Sequence, residues 1–431
     1  MHRRLICSVL VSLAAVICGV GEASAASAQV DSNVRQREVR GQTVQSERDE
    51  QEALFNYYFR EKDLTYEAKL ENLESEASVP NWRIPYSAAI HPETSGGLSD
   101  VRAAPPVGLF ARRRTGAGVS ASAVSSGSSA LSVYDRAFNG GQNLANSYEI
   151  NRILDGQRAL FPARRMRSSS ESWEGYCSGF TASTIRHPEP IRSVDAGRVG
   201  GTPGVVLRPS DIKALLSCIY NRTTPDSFLF LAPPSARDGG PNMGTFHLTL
   251  ANYVGQAGTP VGMDRSKGQV AWNNPIYAYR VNSVRDAGSE EGLTYKDVET
   301  TVTYSYYSTD TSMQTDLDSG DRVGNRKQSM TLRYKLALDD EGRIVGGRAL
   351  NSSGHFLWLP LYAVQAKPDG SVQGNPYVDV RKVIAVARAA SLADVQAKFD
   401  AATIGPRLDP AVDPASEQPE DADDSDDSDE I

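Results

Sequence analysis

From Met330 to Leu338 every second residue is large and apolar: Met330, Leu332, Tyr334, Leu336 and Leu338. A repeat of two is what a strand with one buried face requires, because successive side chains point to opposite sides of the backbone. Asp339-Asp340-Glu341-Gly342 then supplies a turn and Arg343-Ile344-Val345 a returning strand, so a hairpin is expected. Alternation recurs at 245–253, 276–281 and 302–306. Upstream the period changes. Ser210-Asp211 reads as a helix start, and Ile212, Leu215, Leu216 and Ile219 follow at helical spacing, with Cys218 on the flank of that stripe. Helices first and antiparallel strands later is an α+β arrangement, expected over 131–400 and without internal repeats.

The remaining segments have different compositions. Residues 1–25 read as a secretory signal, with Arg3 and Arg4, an apolar stretch from Leu5 to Val20 and the small-residue site Ala23-Ser24-Ala25. That stretch is short for a bilayer span, so a secreted, periplasmic or cell-surface protein is expected, with no membrane insertion once the signal is cut. Residues 26–95 form an N-terminal region. Within it 53–75 has an amphipathic helical pattern (Leu54/Tyr58, Phe55/Phe59, Tyr66/Leu70/Leu73), read as a pro-segment or docking helix. Residues 96–130 are a Gly/Ser-rich linker, in which Arg112-Arg113-Arg114 is a solvated and cleavable run. Residues 408–431 hold 11 Asp/Glu and no Lys/Arg, the composition of a disordered acidic tail. The rest of the chain carries 45 Lys/Arg against 42 Asp/Glu, a nearly neutral body that argues against a nucleic-acid binder.

Of four cysteines, Cys7 and Cys18 fall within the signal, leaving Cys177 and Cys218. One disulfide is open to them. A free thiol outside the cell is an oxidation liability unless it is buried or working. Cys218, beside a helical apolar stripe, reads as a core thiol. Cys177 stands in Trp173-Glu174-Gly175-Tyr176-Cys177-Ser178-Gly179-Phe180-Thr181-Ala182-Ser183, with Pro188 closing the segment. An aromatic-glycine turn followed by small residues can seat a thiol at a helix start, where the N-terminus favours thiolate. The plain alternative is a small buried hydrophobe.

A thiol nucleophile needs a base within hydrogen-bond reach and a group that orients the base. His91, beside the linker, and His187, before Pro188, read as structural or exposed. His355, in Ser352-Ser353-Gly354-His355-Phe356-Leu357-Trp358 near a strand start, stays open as a base. His247 is the best placed, in Gly244-Thr245-Phe246-His247-Leu248-Thr249-Leu250 on the strand expected over 245–253. Asp264 falls on the next candidate strand, and adjacent strands would set the two side by side. An ordinary turn carboxylate is the alternative for Asp264.

Taken together, these residues resemble the transglutaminase elicitor family, secreted cell-wall proteins of oomycete plant pathogens and their bacterial relatives. The stretches that carry the resemblance are Trp173-x-Gly175-x-Cys177, 211–217 (DIKALLS), Gly244-Thr245-Phe246-His247, Trp272-Asn273-Asn274-Pro275 and Phe356-Leu357-Trp358-Leu359-Pro360, with weaker echoes at Pro80-Asn81-Trp82 and 134–138. What the resemblance implies is a papain-like transglutaminase core, an α+β fold with helices packed on an antiparallel sheet. It further implies a Cys177-His247-Asp264 triad that forms a thioester with protein glutamine and passes the acyl group to a lysine amine or to water. The Cys177 backbone N–H and the Trp173 or Trp272 indole would then steady the oxyanion or line the cleft, though either Trp can equally be core. Residues 272–281 correspond to a surface peptide by which plants sense the oomycete members, but Asn274, Tyr277, Ala278 and Arg280 replace a Gln, an Arg, a Gly and a Lys. A papain-like peptidase or amidase is the runner-up, and a non-catalytic surface protein recognised by hosts the third reading. No cofactor or metal is expected. Calcium dependence is not indicated, because Asp316-Leu317-Asp318-Ser319-Gly320-Asp321 lacks the ligand alternation of a calcium loop, and no His/Cys cluster has zinc spacing.

Overall fold

The alternating run at 330–338 lies in one strand of a long antiparallel sheet, as its period demands. A computed structural model of the chain describes residues 37–39, 42–92, 97–100, 129–160, 175–221, 224, 227–233, 241–266, 271–307, 326–351 and 356–404. In chain order, its N-terminal elements are β1 (Arg37–Val39), β2 (Gln42–Val44), α1 (Glu47–Phe59) and β3 (Glu76–Ser78). Three helices follow, α2 (Ala130–Phe138), α3 (Leu144–Leu160) and α4 (Cys177–Arg186), then β4 (Val194–Asp195), β5 (Val206–Leu207) and α5 (Pro209–Tyr220). Next come β6 (Phe228–Ala232), α6 (Met243–Thr249), β7 (Val261–Asp264) and β8 (Asn273–Glu290). The chain closes with β9 (Leu293–Ser305), β10 (Lys327–Leu338), β11 (Ile344–Ala349), β12 (Phe356–Pro360), α7 (Val380–Ala390) and α8 (Ala393–Ala402).

Eight strands form one sheet in the order β11-β10-β9-β8-β7-β12-β6, with β3 also paired to β8. Every pairing in it is antiparallel. The expected hairpin is β10–β11, turning at Asp339 to Gly342. One face is covered along its length. Leu332, Tyr334, Leu336 and Leu338 of β10, Val261 and Met263 of β7, and Leu357 and Leu359 of β12 share a core with Phe246 of α6 and Phe55 and Phe59 of α1. The opposite face divides in two. At the β12–β6 end Trp358, Phe228 and Phe230 pack into a second core with α2, α5 and α7. On β9 and β10 the same face presents Thr301, Thr303, Ser329 and Thr331, paired across the strands through their hydroxyls at 3.0–3.1 Å.

Two sequence expectations change. The helix expected over 53–75 begins earlier and stops at Phe59, with Ser46 as its N-cap, and two short 3₁₀ turns follow. Nor is it a docking helix: Phe55 and Phe59 are fully buried and meet the Tyr253 ring edge-on at 5.3 and 5.7 Å. Alternation at 245–253 produces no strand; α6 runs straight into a π-helical stretch, Leu250–Gln256. The Asn242 side-chain oxygen caps α6 by accepting from the N–H groups of Gly244 and Thr245. Gly244 lies on the β11 backbone, where a Cβ would come within 2.6 Å of Gly346. A helix pressed in on every side buries all its residues and shows no polar stripe to betray its period. The stretch 272–281 opens β8 as its alternation predicts, with Asn273 to Tyr277 buried and Arg280 exposed.

α5 matches its expectation, with Pro209 in its first turn and Asp211 accepting from the Arg208 N–H at 3.0 Å. Neither Cys177 nor Cys218 is in a disulfide and both are buried, Cys218 in the second core as expected. The expected signal, the linker from 101 to 128, the acidic turn at 316–321 and the tail lie outside the described residues. No helix among the described residues is long and apolar enough to cross a membrane.

Candidate active site

Cys177 is the first residue of α4, as the small-residue pattern predicts. The turn before it is pinned at three points. The Tyr176 N–H donates to the Ile90 carbonyl at 2.7 Å, its hydroxyl donates to the buried Glu149 carboxylate at 2.6 Å, and Gly175 sits so close that a Cβ would approach the Ile90 oxygen to 2.7 Å. One turn along, Gly179 lies against α5, where a Cβ would fall 1.9 Å from the Ser217 carbonyl. Glycines at 175 and 179 therefore fix the thiol by letting backbone meet backbone.

The thiol is 8% exposed, against Tyr86, Ala88, Ile90, Phe180 and Tyr307, with Trp272 packed alongside. It is not sealed in hydrocarbon. Its Sγ is 3.5 Å from the Ala271 carbonyl, to which the S–H donates, and 4.0 Å from the Asn273 Nδ2–H donor. Burial pushes the thiol pKa up. The Asn273 backbone and side-chain N–H groups and the Ser178 N–H pull it down, and the nearby Asp264 charge pushes it up. The expectation that the helix start would leave a ready thiolate is thus outweighed by desolvation.

Asp264 ends β7 and is fully buried. Its Oδ1 accepts from the Trp272 N–H at 2.7 Å and from the Ser266 N–H and hydroxyl at 3.1 Å. It lies between the first residues of two strands, Asn273 on β8 and Phe356 on β12. The structure therefore brings Cys177 and Asp264 into one site.

His247 does not join them. It lies on helix α6 rather than on a strand, and its Nδ1 is 2.6 Å from the Tyr334 hydroxyl, which in turn lies 2.7 Å from Thr300 Oγ1. Strand parity decides the matter. On β7, Val261 and Met263 point into the core that holds Tyr334, so Gly262 and Asp264 point the other way, toward Trp358 and Asn273. The sheet itself separates His247 from Asp264. Burial alone lowers the His247 pKa to about 4. His91 and His187 are structural, as expected, but buried rather than exposed, with pKa values lowered by burial to about 4 and about 3. His187 Nε2 meets the Tyr220 hydroxyl at 2.9 Å.

Trp272 is half-buried and stacks on Tyr307, centroids 6.0 Å apart at 14°. Trp173 and His355 lie outside the described residues. Sequence reasoning gave no role to Asn273, which stands at the sulfur, or to Trp358 behind it, whose indole Nε1–H donates to Asn273 Oδ1 at 2.9 Å. Both occur in the stretches that carry the family resemblance, but no spacing rule selects an asparagine at a strand start. Among the described residues no group of three His, Cys, Asp or Glu side chains could hold a metal ion.

The transglutaminase elicitor family model matches residues 225–390, a range that includes Asp264, Asn273 and Trp358 but not Cys177. No protein of curated function matches the chain in sequence. Among solved structures, the GP42 transglutaminase from Phytophthora sojae is similar in fold, with a TM-score of 0.54 at 18% identity, over 79% of this chain and 98% of that one. The chain therefore carries the transglutaminase elicitor pattern over residues 225–390 on the fold of a transglutaminase.

Proposed function

We propose that the chain is an exported protein-glutamine γ-glutamyltransferase whose nucleophile is Cys177. The observation that supports this most is the convergence of a pinned thiol, a buried carboxylate and an amide donor at the start of α4. A cysteine that is only core filler has no use for a charged neighbour and aimed N–H donors.

The base is His355. It directly precedes Phe356, the register partner of Asp264, whereas His247 is walled off by the sheet. Imidazole takes the thiol proton, and the thiolate attacks the γ-carboxamide carbon of a glutamine side chain. As the C–S bond forms and the C–N bond breaks, imidazolium returns the proton and ammonia leaves. A lysine amine then attacks the thioester, giving up a proton to imidazole while the sulfur departs as thiolate. Asp264 steadies the imidazolium and fixes its tautomer. Trp272, stacked on Tyr307 and packed against the cluster that holds the thiol, limits the access of water to the thioester. The partners are protein glutamine donors and lysine or other amine acceptors, met outside the cell, since residues 1–25 carry a signal pattern.

Incorporation of labelled cadaverine into casein tests this reading. Wild-type chain should label casein and Cys177→Ala should not. Ammonia release or cleavage without label would replace the transferase by a hydrolase of the same machinery. Labelling that survives in Cys177→Ala would end the proposal.

A further inference from the structure

An asparagine side chain is ambiguous by itself, since its oxygen and nitrogen ends have the same shape. At Asn273 a neighbour removes the ambiguity. The Trp358 indole is a donor only, and its Nε1 stands 2.9 Å from the carboxamide, so the oxygen must face the indole and the NH₂ must face away. What lies on that side is Cys177 Sγ, at 4.0 Å. The indole in turn depends on strand β7. Trp358 and Gly262 are register partners, and a Cβ on Gly262 would meet Cε2 and Nε1 of that indole at 2.5–2.6 Å. A glycine makes room for the indole, the indole sets the amide, and the amide points its donor at the sulfur.

We propose that Asn273 is a catalytic residue, the side-chain donor that stabilises the Cys177 thiolate, and that Trp358 is its positioning residue. The inference rests on the acyltransferase reading for its catalytic meaning but concerns an equilibrium that can be measured without turnover. The two protonation states of the sulfur use different partners. As a thiol it donates to the Ala271 carbonyl, and as a thiolate it accepts from the Asn273 backbone and side-chain N–H groups and from the Ser178 N–H. Around it from the packed elements stand Asp264 on β7, Tyr307 after β9 with the Arg265 charge acting on it, and Tyr86 from the N-terminal segment. The Asp264 charge and burial both disfavour thiolate there. A fixed neutral donor opposes them without adding a second ion that would have to be desolvated.

The test is the pH profile of Cys177 alkylation by iodoacetamide in the full chain, read by mass on the Cys177 peptide so that Cys218 does not contribute. Asn273→Asp keeps the shape but turns the donor into a charged acceptor, and should raise the alkylation midpoint the most. Asn273→Ala should raise it by roughly one to two pH units, the worth of a hydrogen bond to a charged group. Trp358→Phe keeps the ring and loses the N–H; the freed amide should raise the midpoint by less than Asn273→Ala does. Midpoints within about 0.2 unit of wild type in all three variants would overturn the proposal, since a merely structural contact moves melting temperature and not this profile. A mutation-free check guards against misfolding. In ¹⁵N-labelled wild-type chain the Asn273 carboxamide resonances should shift with the alkylation midpoint, and signals fixed across that transition would overturn it equally. Wild-type chain that fails to label casein sinks the transferase reading but leaves this measurement intact. Normal labelling with unmoved midpoints sinks only the role of Asn273.

Discussion

The two faces of the sheet each bury a hydrogen-bonded group whose pKa is shifted, and they are built on different principles. On one, His247 meets Tyr334 and Tyr334 meets Thr300 inside the largest core, and the cause of the low His247 pKa is burial alone. On the other, Cys177 is also desolvated, but a carboxylate and several N–H donors act on the same sulfur in opposing directions. Desolvation is the largest cause of the shift at both groups, so the shift alone does not separate the faces; what differs is the set of specific partners, present at the sulfur and without a counterpart among the causes at His247. On the proposed function the Tyr334 side is architecture and the Asp264 side is chemistry. Substitutions should separate them: changes near Asp264 cost activity and little stability, and changes near Tyr334 do the reverse.

Cys177→Ala should have the largest effect, removing amine incorporation to the detection limit, at least a 10³-fold loss, because no covalent intermediate can form without the sulfur. Its melting temperature should stay within a few degrees of wild type. The next contrast breaks the comparison if it fails. His355→Ala should lose about 10²- to 10⁴-fold in kcat/KM, the usual worth of a general base, while His247→Gln keeps activity within a few-fold. Equal losses in both would return His247 to the reaction and overturn the parity argument. Asp264→Asn should come third, with kcat falling roughly 10- to 10³-fold and KM moving little, because the carboxylate acts on the imidazolium that forms during reaction. An unchanged kcat would make Asp264 a clasp for the 264–272 loop and nothing more.

Much of the sheet was legible in the sequence because its covered face is continuous. Alternation at 276–281, 302–306 and 330–338 marks strands whose other side meets solvent or a helix, so their polar and apolar residues separate cleanly. α5 was legible for the opposite reason, a helical apolar period with a proline and an aspartate at its start. α6 was not. Its residues 245–249 alternate by accident, and the information that makes them a helix sits outside them, in the Asn242 cap and in the β11 glycines it lies on. From that single misreading followed the expected pairing of His247 with Asp264, because a strand at 245–253 would have set the two side by side. Cys177 at the start of α4 and Asp264 at the end of β7 stand where small-residue flanks and strand placement put them. Asn273 escaped because its role depends on an indole 85 positions later in the chain, a contact that only the folded sheet makes.

The smallest effect concerns stability and tests the face that holds His247 directly. His91, His187 and His247 are held neutral by burial, with pKa values near 4, 3 and 4. In the unfolded chain the same groups titrate at about 6.5. Between those limits the unfolded state binds more protons than the folded one, so stability rises with pH through this window and is lost as pH falls below about 6.5. It is fully present above that value, the reverse of a histidine paired with a carboxylate. For His247 alone the loss at pH 5 is on the order of 2 kcal/mol relative to pH 7, or a few degrees in melting temperature for a chain of this size. His247→Gln removes the titrating group, so its melting temperature should fall less steeply between pH 7 and pH 5 than that of wild type, even from a lower starting value. Parallel curves for the two chains would mean that His247 takes up its proton in the folded state after all. In that event the imidazole beside Tyr334 would be open to solvent, and the contrast between the two faces would fail on its structural side.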